Sequence, residues 1–457
     1  MTSSPRSDPG RPARPDPAPK PDIVVEGGIL LSMVEGQPPV GPARVCIGKD
    51  RIVDIRWNKD LLPRPVEEGA EFIDARDGII MPGLINGHCH TAMTLFRGIA
   101  DDLPLKQWLF EKIFPAEAAY LNPDTVYAGA LLGCLEMIAC GTTTLLDGYF
   151  FQDHTLKAVH DAGLRGLIAQ GVIDFPAPGV PDPAENLMEG QRFLERWRDF
   201  SDLITPGLFC HSPLTCSEGT LRGAMEISRR YEAPLQIHLS ETREEREEIM
   251  KRTGLRPVHY LDRAGLLGPH LIAAHGVHLD DAELDLLSER GVRLIHVPQS
   301  NMKLSSGVAR VSEMLERDLT VGLGTDGCAS NNDLDLFQEM DCAAKLQKAF
   351  SLDPESLAAE KALRMATAWG AKVPGLEREI GTIQVGKRAD IIVVDLRNPH
   401  LIPLYNPIST LVYSANGSDV KDVIVNGRIL MKDRRFQTLD PWEIMDRVNF
   451  IAMKVIA

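Results

Sequence analysis

The first residues in the chain that could do chemistry are His88 and His90, which follow an apolar run at residues 78–81. In a strand, residues i and i+2 point to the same face, so both imidazoles can reach one metal ion. Cys89 points to the other face, where we expect it to pack rather than bind metal. A His-x-His pair alone is a weak signal, so the prediction depends on whether the rest of the chain supplies further ligands.

Other polar side chains stand at the ends of later apolar segments. They are His211, His238, His275 and Asp326. Imidazole and carboxylate groups are ligands of borderline-soft divalent metals. We predict that His88, His90, His238 and Asp326 bind one divalent metal ion per subunit and leave a position open for water. Zn²⁺ is the expected metal, and Fe²⁺, Ni²⁺ or Mn²⁺ would fit the same ligands.

Glu241 follows His238 by three residues and therefore lies just past the end of a predicted strand. A carboxyl group there can move a proton between a metal-bound water, whose pKa the metal lowers, and a substrate. The alternative is that Glu241 only begins a solvated helix. We interpret the acids that follow it as an exposed charged face: Glu244, Glu245, Glu247 and Glu248.

The middle of the chain alternates apolar strand candidates with amphipathic helical stretches. After the His-Cys-His segment, the candidates are residues 142–147, 165–170, 208–211, 235–239, 271–275, 292–296 and 321–326. Eight such units in about 250 residues predict an α/β fold of the (β/α)8 TIM-barrel type. A doubly wound open sheet is the competing fold, but no Gly-x-Gly-x-x-Gly follows the first strand. In a barrel, the predicted site residues would meet at the carboxyl ends of the strands.

Both ends of the chain contain short strands separated by Gly, Pro and Asp. We therefore predict that residues 22–81 and 382–435 build one small β-sandwich domain, with the metal-dependent barrel at residues 82–381 inserted between them. Residues 436–457 are expected to form a C-terminal helical segment. Residues 1–21 are expected to be a disordered, Pro-rich tail, because they contain seven prolines and almost nothing apolar.

Composition narrows the classes of partner. A net charge of −15 argues against nucleic acid, and no apolar run is long enough for a membrane span. The eight cysteines are scattered without a CxxC, which suits a reducing compartment. We expect a cytoplasmic, homo-oligomeric enzyme that acts on a small molecule.

Taken together, the motifs resemble the amidohydrolase superfamily. They are residues 82–90, His211-Ser212-Pro213, His238-Leu239-Ser240-Glu241, Ala274-His275-Gly276 and Gly324-Thr325-Asp326-Gly327. The similarity is greatest to the branch that deaminates purine-type rings, which includes the 5′-methylthioadenosine and S-adenosylhomocysteine deaminases. It spans roughly residues 22–435 and implies a barrel with a β-sandwich from both termini.

The resemblance also implies roles for individual residues. His275 would orient the attacking hydroxide, Asp326 would be both ligand and proton acceptor, and Glu241 would protonate the ring nitrogen beside the attacked carbon. His211 would contact the substrate. Trp108 would form an apolar wall and Glu117 would bind the ribose hydroxyls, although helix packing and a surface acid are the alternatives for these two.

The resulting hypothesis is hydrolytic deamination of an adenosine-type nucleoside: 5′-methylthioadenosine, S-adenosylhomocysteine, adenosine or 5′-deoxyadenosine. Another ring aminohydrolase or a chlorohydrolase, acting on guanine, a pterin or a triazine, would share the metal ligands. A non-catalytic metal-binding scaffold is disfavoured because Glu241, His275 and Asp326 are all present. Some relatives hold the homocysteine carboxylate with arginines between strands three and four. Residues 171–191 contain no arginine, and Arg192 follows, so we predict a preference for neutral 5′ groups.

Overall fold

A computed structural model describes residues 20–58 and 69–456 of the chain. Apart from its last two positions, the predicted tail at residues 1–21 lies outside the described residues. The strands within them are β1 Ile23–Glu26, β2 Ile29–Leu30, β3 Ala43–Gly48, β4 Arg51–Trp57, β5 Glu71–Asp74, β6 Gly78–Pro82, β7 Leu84–Cys89, β8 Thr142–Tyr149, β9 Arg165–Val172, β10 Ile204–Cys210, β11 Leu235–Leu239, β12 Leu271–His275, β13 Arg293–His296, β14 Thr320–Leu323, β15 Ile391–Asp395, β16 Val420–Val425, β17 Arg428–Lys432 and β18 Arg435–Phe436.

The α-helices of the described residues are numbered in chain order. They are α1 Leu105–Gln107, α2 Phe114–Tyr120, α3 Pro123–Ala139, α4 Gln152–Ala162, α5 Asn186–Trp197, α6 Glu218–Tyr231, α7 Arg243–Thr253, α8 Pro257–Arg263, α9 Asp281–Arg290, α10 Pro298–Lys303, α11 Val311–Glu316, α12 Leu336–Ser351, α13 Ala359–Met365, α14 Pro407–Tyr413 and α15 Pro441–Ile456. A π-helical turn, Trp108–Ile113, joins α1 to α2.

The central sheet of the described chain contains eight parallel strands that run in unbroken order from β7 to β14. Strands β8 and β9 are buried at every residue, as expected where helices cover one face and barrel side chains the other. The two end strands meet at their carboxyl ends, where the backbone N–H of Asp326 donates to the carbonyl of His88 at 2.9 Å. The predicted TIM barrel is confirmed.

Apolar side chains fill the barrel interior. Phe209, Ile272 and Ile295 belong to one buried cluster with residues from a segment that follows the barrel, including Val373 and Ile380. The Phe209 ring lies 4.9 Å from the ring of His238, centroid to centroid, so this packed core forms the floor beneath the polar strand ends. The barrel is therefore a solid support rather than a channel.

Two further sheets combine strands from both ends of the chain. One has the order β4-β3-β1-β5 and the other β18-β17-β16-β15-β6-β2 in the described residues. Strand β6 pairs antiparallel with β15, which places Ile80 opposite Val393. Side chains of both sheets, among them Val45 and Ile391, share one buried cluster. The expected β-sandwich from both termini is confirmed, while its exact domain boundaries stay a prediction.

Helix α15 packs against α3. Ile444 and Val448 are buried in a cluster that also contains Trp108, and the Arg447 guanidinium lies 5.9 Å from the Tyr127 ring. Among the described residues, no helix is both long and apolar enough to cross a membrane.

Candidate metal centre and active site

The four predicted metal ligands converge at one point. One donor atom from each of His88, His90, His238 and Asp326 lies within 4.8 Å of the others, and all four side chains are buried. Asp326 Oδ1 is 3.6 Å from His88 Nε2 and 3.3 Å from His90 Nε2, and His238 Nε2 is 3.2 Å from His88 Nε2. Strands β7 and β11 and the end of β14 supply these groups, as the strand-end argument predicted.

Hydrogen bonds to the barrel hold two of these ligands in place. His90 Nδ1 bonds to the carbonyl of Gly148, which leaves Nε2 to face the centre. Asp326 Oδ2 accepts from Ser300 Oγ at 2.6 Å and Ser330 Oγ at 2.9 Å. These outer partners orient the His90 ring and the Asp326 carboxylate.

The seam between β7 and β14 positions Asp326. Asn86 Nδ2 donates to Thr325 Oγ1 at 2.8 Å, and the Thr325 N–H donates to Asn86 Oδ1 at 3.1 Å. A Cβ on Gly324 would lie 2.7 Å from the backbone N of His88, so only glycine permits this approach. Asp326 itself has a φ of 63°, a left-handed conformation that non-glycine residues seldom adopt outside special sites.

The charge states of the group suit a cation. Burial lowers the pKa of His88 to about 4 and that of His238 well below its ordinary value, so both rings are neutral, the form that binds metal. Burial alone would raise the pKa of Asp326, but the histidines outweigh it and keep the carboxylate ionised. Burial also lowers the pKa of His90, but the hydrogen bond and charge of Asp326 outweigh burial, so the pKa of His90 is raised overall. Three imidazoles and one carboxylate, buried and facing one another, fit a divalent metal of the zinc type.

Buried His275 and partly buried Glu241 form a second pair beside this centre. Glu241 Oε2 lies 3.7 Å from His275 Nε2, and His275 Nδ1 donates to Asn301 Oδ1 at 2.9 Å. Burial raises the pKa of Glu241. Burial also opposes protonation of His275, but the Glu241 and Asp326 carboxylates outweigh it and raise the pKa of that ring. The arrangement places a carboxyl group able to carry a proton next to the metal ligands.

One prediction about the glutamates is wrong. Glu244, Glu247 and Glu248 are exposed as expected, but Glu245 is buried and 7% exposed. Its carboxylate accepts backbone N–H groups that precede helix α7, so hydrogen bonding, not solvent, satisfies it. The spacing Thr242-x-x-Glu245, a helix-capping pattern, could have indicated this role.

Aromatic rings lie beside the metal group. The His211 ring lies 5.2 Å from that of His238, and its Nδ1 is 2.8 Å from Thr215 Oγ1. The Phe114 ring is 6.0 Å from His211 on the other side. The helical segment α1–α2 thus lies over this part of the barrel mouth.

Trp108 and Glu117 belong to that segment, and both are buried. Glu117 Oε1 accepts from the Tyr149 hydroxyl at 2.5 Å, and the Tyr149 ring is 5.8 Å from that of His90. Glu117 is therefore not a surface acid. Burial raises its pKa to about 7, against the opposing effect of the Tyr149 bond. The indole Nε1 of Trp108 is buried without a hydrogen-bond partner among the described residues. Tyr149, at the end of β8, carries no sequence signal that would have marked it.

Arg192, whose direction could not be judged from the sequence, lies on α5. Its guanidinium is 3.6 Å from Glu189 Oε2, and the side chain is 51% exposed. These contacts keep it on the helix surface. The structure therefore gives Arg192 a surface role and does not bring it to the metal group.

Comparison with known proteins assigns the chain to a family. The family model for the amidohydrolase family matches residues 79–430, so the chain belongs to that family. The chain shares 34% sequence identity with a Xanthomonas campestris adenosine deaminase whose crystal structure contains bound zinc. That match covers 96% of this chain and 99% of the other, with a TM-score of 0.92.

Two relatives narrow the comparison further. A 5-methylthioadenosine/S-adenosylhomocysteine deaminase of Syntrophobacter fumaroxidans is 50% identical over 440 residues, which span 95% of this chain and 98% of that protein. A 5′-deoxyadenosine deaminase of Methanothermobacter thermautotrophicus is 46% identical over 436 residues, 95% of this chain and 97% of that protein. Both similarities extend over nearly the full length of the proteins compared.

Proposed function

We propose that the protein is a metal-dependent aminohydrolase that converts an adenosine-type nucleoside to the inosine-type nucleoside and ammonia. The main support for the proposal is that the Glu241–His275 pair lies beside the group of three histidines and one aspartate, with the His275 ring 5.2 Å from the His238 ring. Similarity to deaminases of 5-methylthioadenosine, S-adenosylhomocysteine and 5′-deoxyadenosine supports the substrate class over guanine, pterin or triazine rings.

His88, His90, His238 and Asp326 would hold the metal ion. Zinc is our assignment, because the donor set suits it and the Xanthomonas adenosine deaminase contains it. When bound, the ion supplies the Lewis acidity that allows a water molecule to ionise near neutral pH.

The chain's own residues then manage the protons. Asp326 accepts a proton from the attacking water, and His275 orients that water through Nε2 while Asn301 fixes the ring tautomer. Glu241 donates a proton to purine N1 as the oxygen attacks C6. Its burial-raised pKa keeps this acid protonated to a higher pH than an exposed glutamate would be. The tetrahedral carbon that results loses ammonia, which leaves with the proton that Asp326 accepted. The C6 hydroxyl proton returns to Glu241, and a 6-oxopurine remains.

The side chains beside the metal group would contact the nucleoside. Trp108 supplies a wall, and its unpartnered indole N–H fits a position that a substrate acceptor would complete. His211 would contact the ring, and the Glu117 carboxylate would accept the ribose hydroxyls next to Tyr149.

A substrate panel tests the proposal. Purified, zinc-loaded protein should release ammonia from at least one of 5′-methylthioadenosine, S-adenosylhomocysteine, adenosine and 5′-deoxyadenosine. Guanine, a pterin and a triazine serve as matched ring substrates, and the protein should release little ammonia from them. Release from one of these three, with none from the four nucleosides, would overturn the substrate class.

Glu117 should make nucleoside binding depend on pH. An ionised carboxylate can accept two hydroxyl groups, and the pKa of Glu117 is about 7, so KM should rise as pH falls below that value. Glu117→Gln should raise KM about tenfold or more, the effect of losing a charge-assisted hydrogen bond, and flatten this pH dependence. The measurement is KM against pH for both proteins. Glu111→Gln, an exposed change in the same helical segment, is the control, and an unaltered KM profile in Glu117→Gln would contradict the role.

Neutral 5′ groups should be preferred over the charged homocysteine group. No arginine lies in residues 171–191, and Arg192 pairs with Glu189. We expect kcat/KM for 5′-methylthioadenosine to exceed that for S-adenosylhomocysteine by about tenfold, the cost of one absent charged contact. Arg192→Gln should leave this ratio unchanged. A higher kcat/KM for S-adenosylhomocysteine, or a ratio that depends on Arg192, would refute the prediction.

A further inference from the structure

Glu245 is a buried carboxylate whose two oxygens both face the backbone before helix α7. Oε2 accepts the N–H of Glu241 at 2.8 Å, and Oε1 accepts the N–H of Ser240 at 3.3 Å. Its side chain therefore binds the backbone of two of the three residues that link strand β11 to the helix. The neighbouring acids on α7, such as Glu244, are exposed.

The segment that Glu245 holds has an unusual backbone. Ser240 adopts a φ of 50°, in the left-handed region, although it carries a side chain. Such a conformation persists only where the surroundings over-determine it. The turn directs the Glu241 side chain toward His275, while the Glu241 N–H points to Glu245. The carboxylate of Glu245 thus stabilises the reversal that aims Glu241.

Glu245 is itself fixed by the start of the helix. Thr242 is the N-cap of α7, and its Oγ1 accepts the N–H of Glu245 at 3.1 Å. In an ordinary capping box, the glutamate at this position reaches back to the N-cap N–H. Here it reaches one and two residues further back, to Glu241 and Ser240. A contact made only to stabilise the helix would not need that reach.

We infer that Glu245 is a positioning residue for Glu241, one that sets where the proposed proton donor stands relative to purine N1. The inference rests on the proposed role of Glu241. Glu245 accepts the backbone N–H of Glu241, so it acts through Glu241 rather than on the substrate. Displacement of a catalytic group by about 1 Å can lower the rate about 10²-fold. Loss of the hydrogen bonds from Glu245 to this backbone should therefore lower kcat.

The first experiment compares Glu245→Gln and Glu245→Ala with Glu244→Gln, an exposed change in the same helical turn. Glutamine keeps one acceptor oxygen, so kcat should fall about 10-fold, and about 100-fold in the alanine variant. KM should stay within about twofold, because the nucleoside contacts are untouched. Zinc content and melting temperature are measured in parallel. Glu244→Gln should match the unaltered protein, and the glutamine variant suffices if the alanine variant does not fold.

A double-mutant cycle separates positioning from general support of the fold. If Glu245 acts through Glu241, then Glu241→Gln combined with Glu245→Gln should turn over at the same residual rate as Glu241→Gln alone. Three results would each overturn the inference. The first is a double variant whose loss of kcat equals the product of the two single losses. The others are an unchanged kcat in Glu245→Gln and a loss of kcat that missing zinc explains. Full turnover by Glu241→Gln alone would instead overturn the proposed role of Glu241, so the two failures are distinguishable.

Discussion

Glu241→Gln is expected to lower kcat for nucleoside deamination by about 10²- to 10⁴-fold, the contribution of a positioned proton donor, while the protein keeps its metal. The amide can still donate a hydrogen bond to N1 but has no proton to transfer. Metal retention is expected because Glu241 lies outside the four-residue group and contacts His275 instead.

The measurement pairs single-substrate kinetics with metal analysis of the same sample. Glu247→Gln, which changes an exposed acid on α7, should behave as the unaltered protein. A Glu241→Gln variant with kcat within a few-fold of normal would contradict the proton-transfer role. Loss of metal together with activity would show that Glu241 supports the centre rather than the chemistry.

Asp326→Asn is expected to have the second large effect, on both metal affinity and turnover. Asp326 is the one carboxylate of the metal group, and it is also the proposed acceptor of the water proton. An amide of the same shape keeps the packing against Ser300 and Ser330 but removes the charge. Metal affinity should therefore fall by more than the 10- to 100-fold that is typical of losing an outer hydrogen-bond partner.

Ser300→Ala provides the graded comparison, because it removes one such outer partner and leaves the carboxylate in place. Its loss of zinc affinity should fall within about 10- to 100-fold. Zinc affinity is measured by competition with a chelator, and turnover is measured at saturating zinc. If Asp326→Asn bound zinc as tightly as Ser300→Ala, Asp326 would not be a ligand.

The sequence predicted the repeating strand–helix units of the barrel best. Apolar segments between amphipathic helices predicted the eight barrel strands, and the rule that parallel strands expose their carboxyl ends together predicted the meeting of His88, His238 and Asp326. Cys89 lies outside the metal group, and its thiol contacts the carbonyl of Leu146 at 3.4 Å, as the alternation of a strand requires.

Residues that act through tertiary contacts were not predictable in the same way. Tyr149 meets Glu117 from a different element, and Asn301 meets His275 from a helix that follows the next strand. No local periodicity links these pairs. Glu245 was misjudged because a run of charged residues is usually solvated, and here the first turn of the helix folds one of them inward.

In the proposed reaction, water replaces the exocyclic amine of the purine at this metal centre. The most direct measurement is turnover of 5′-methylthioadenosine or 5′-deoxyadenosine by the zinc-loaded protein in water labelled with heavy oxygen, followed by mass analysis of the nucleoside. We expect one labelled oxygen at C6 for each ammonia released, with the glycosidic bond intact. Free adenine, or an unlabelled product formed with ammonia, would contradict it.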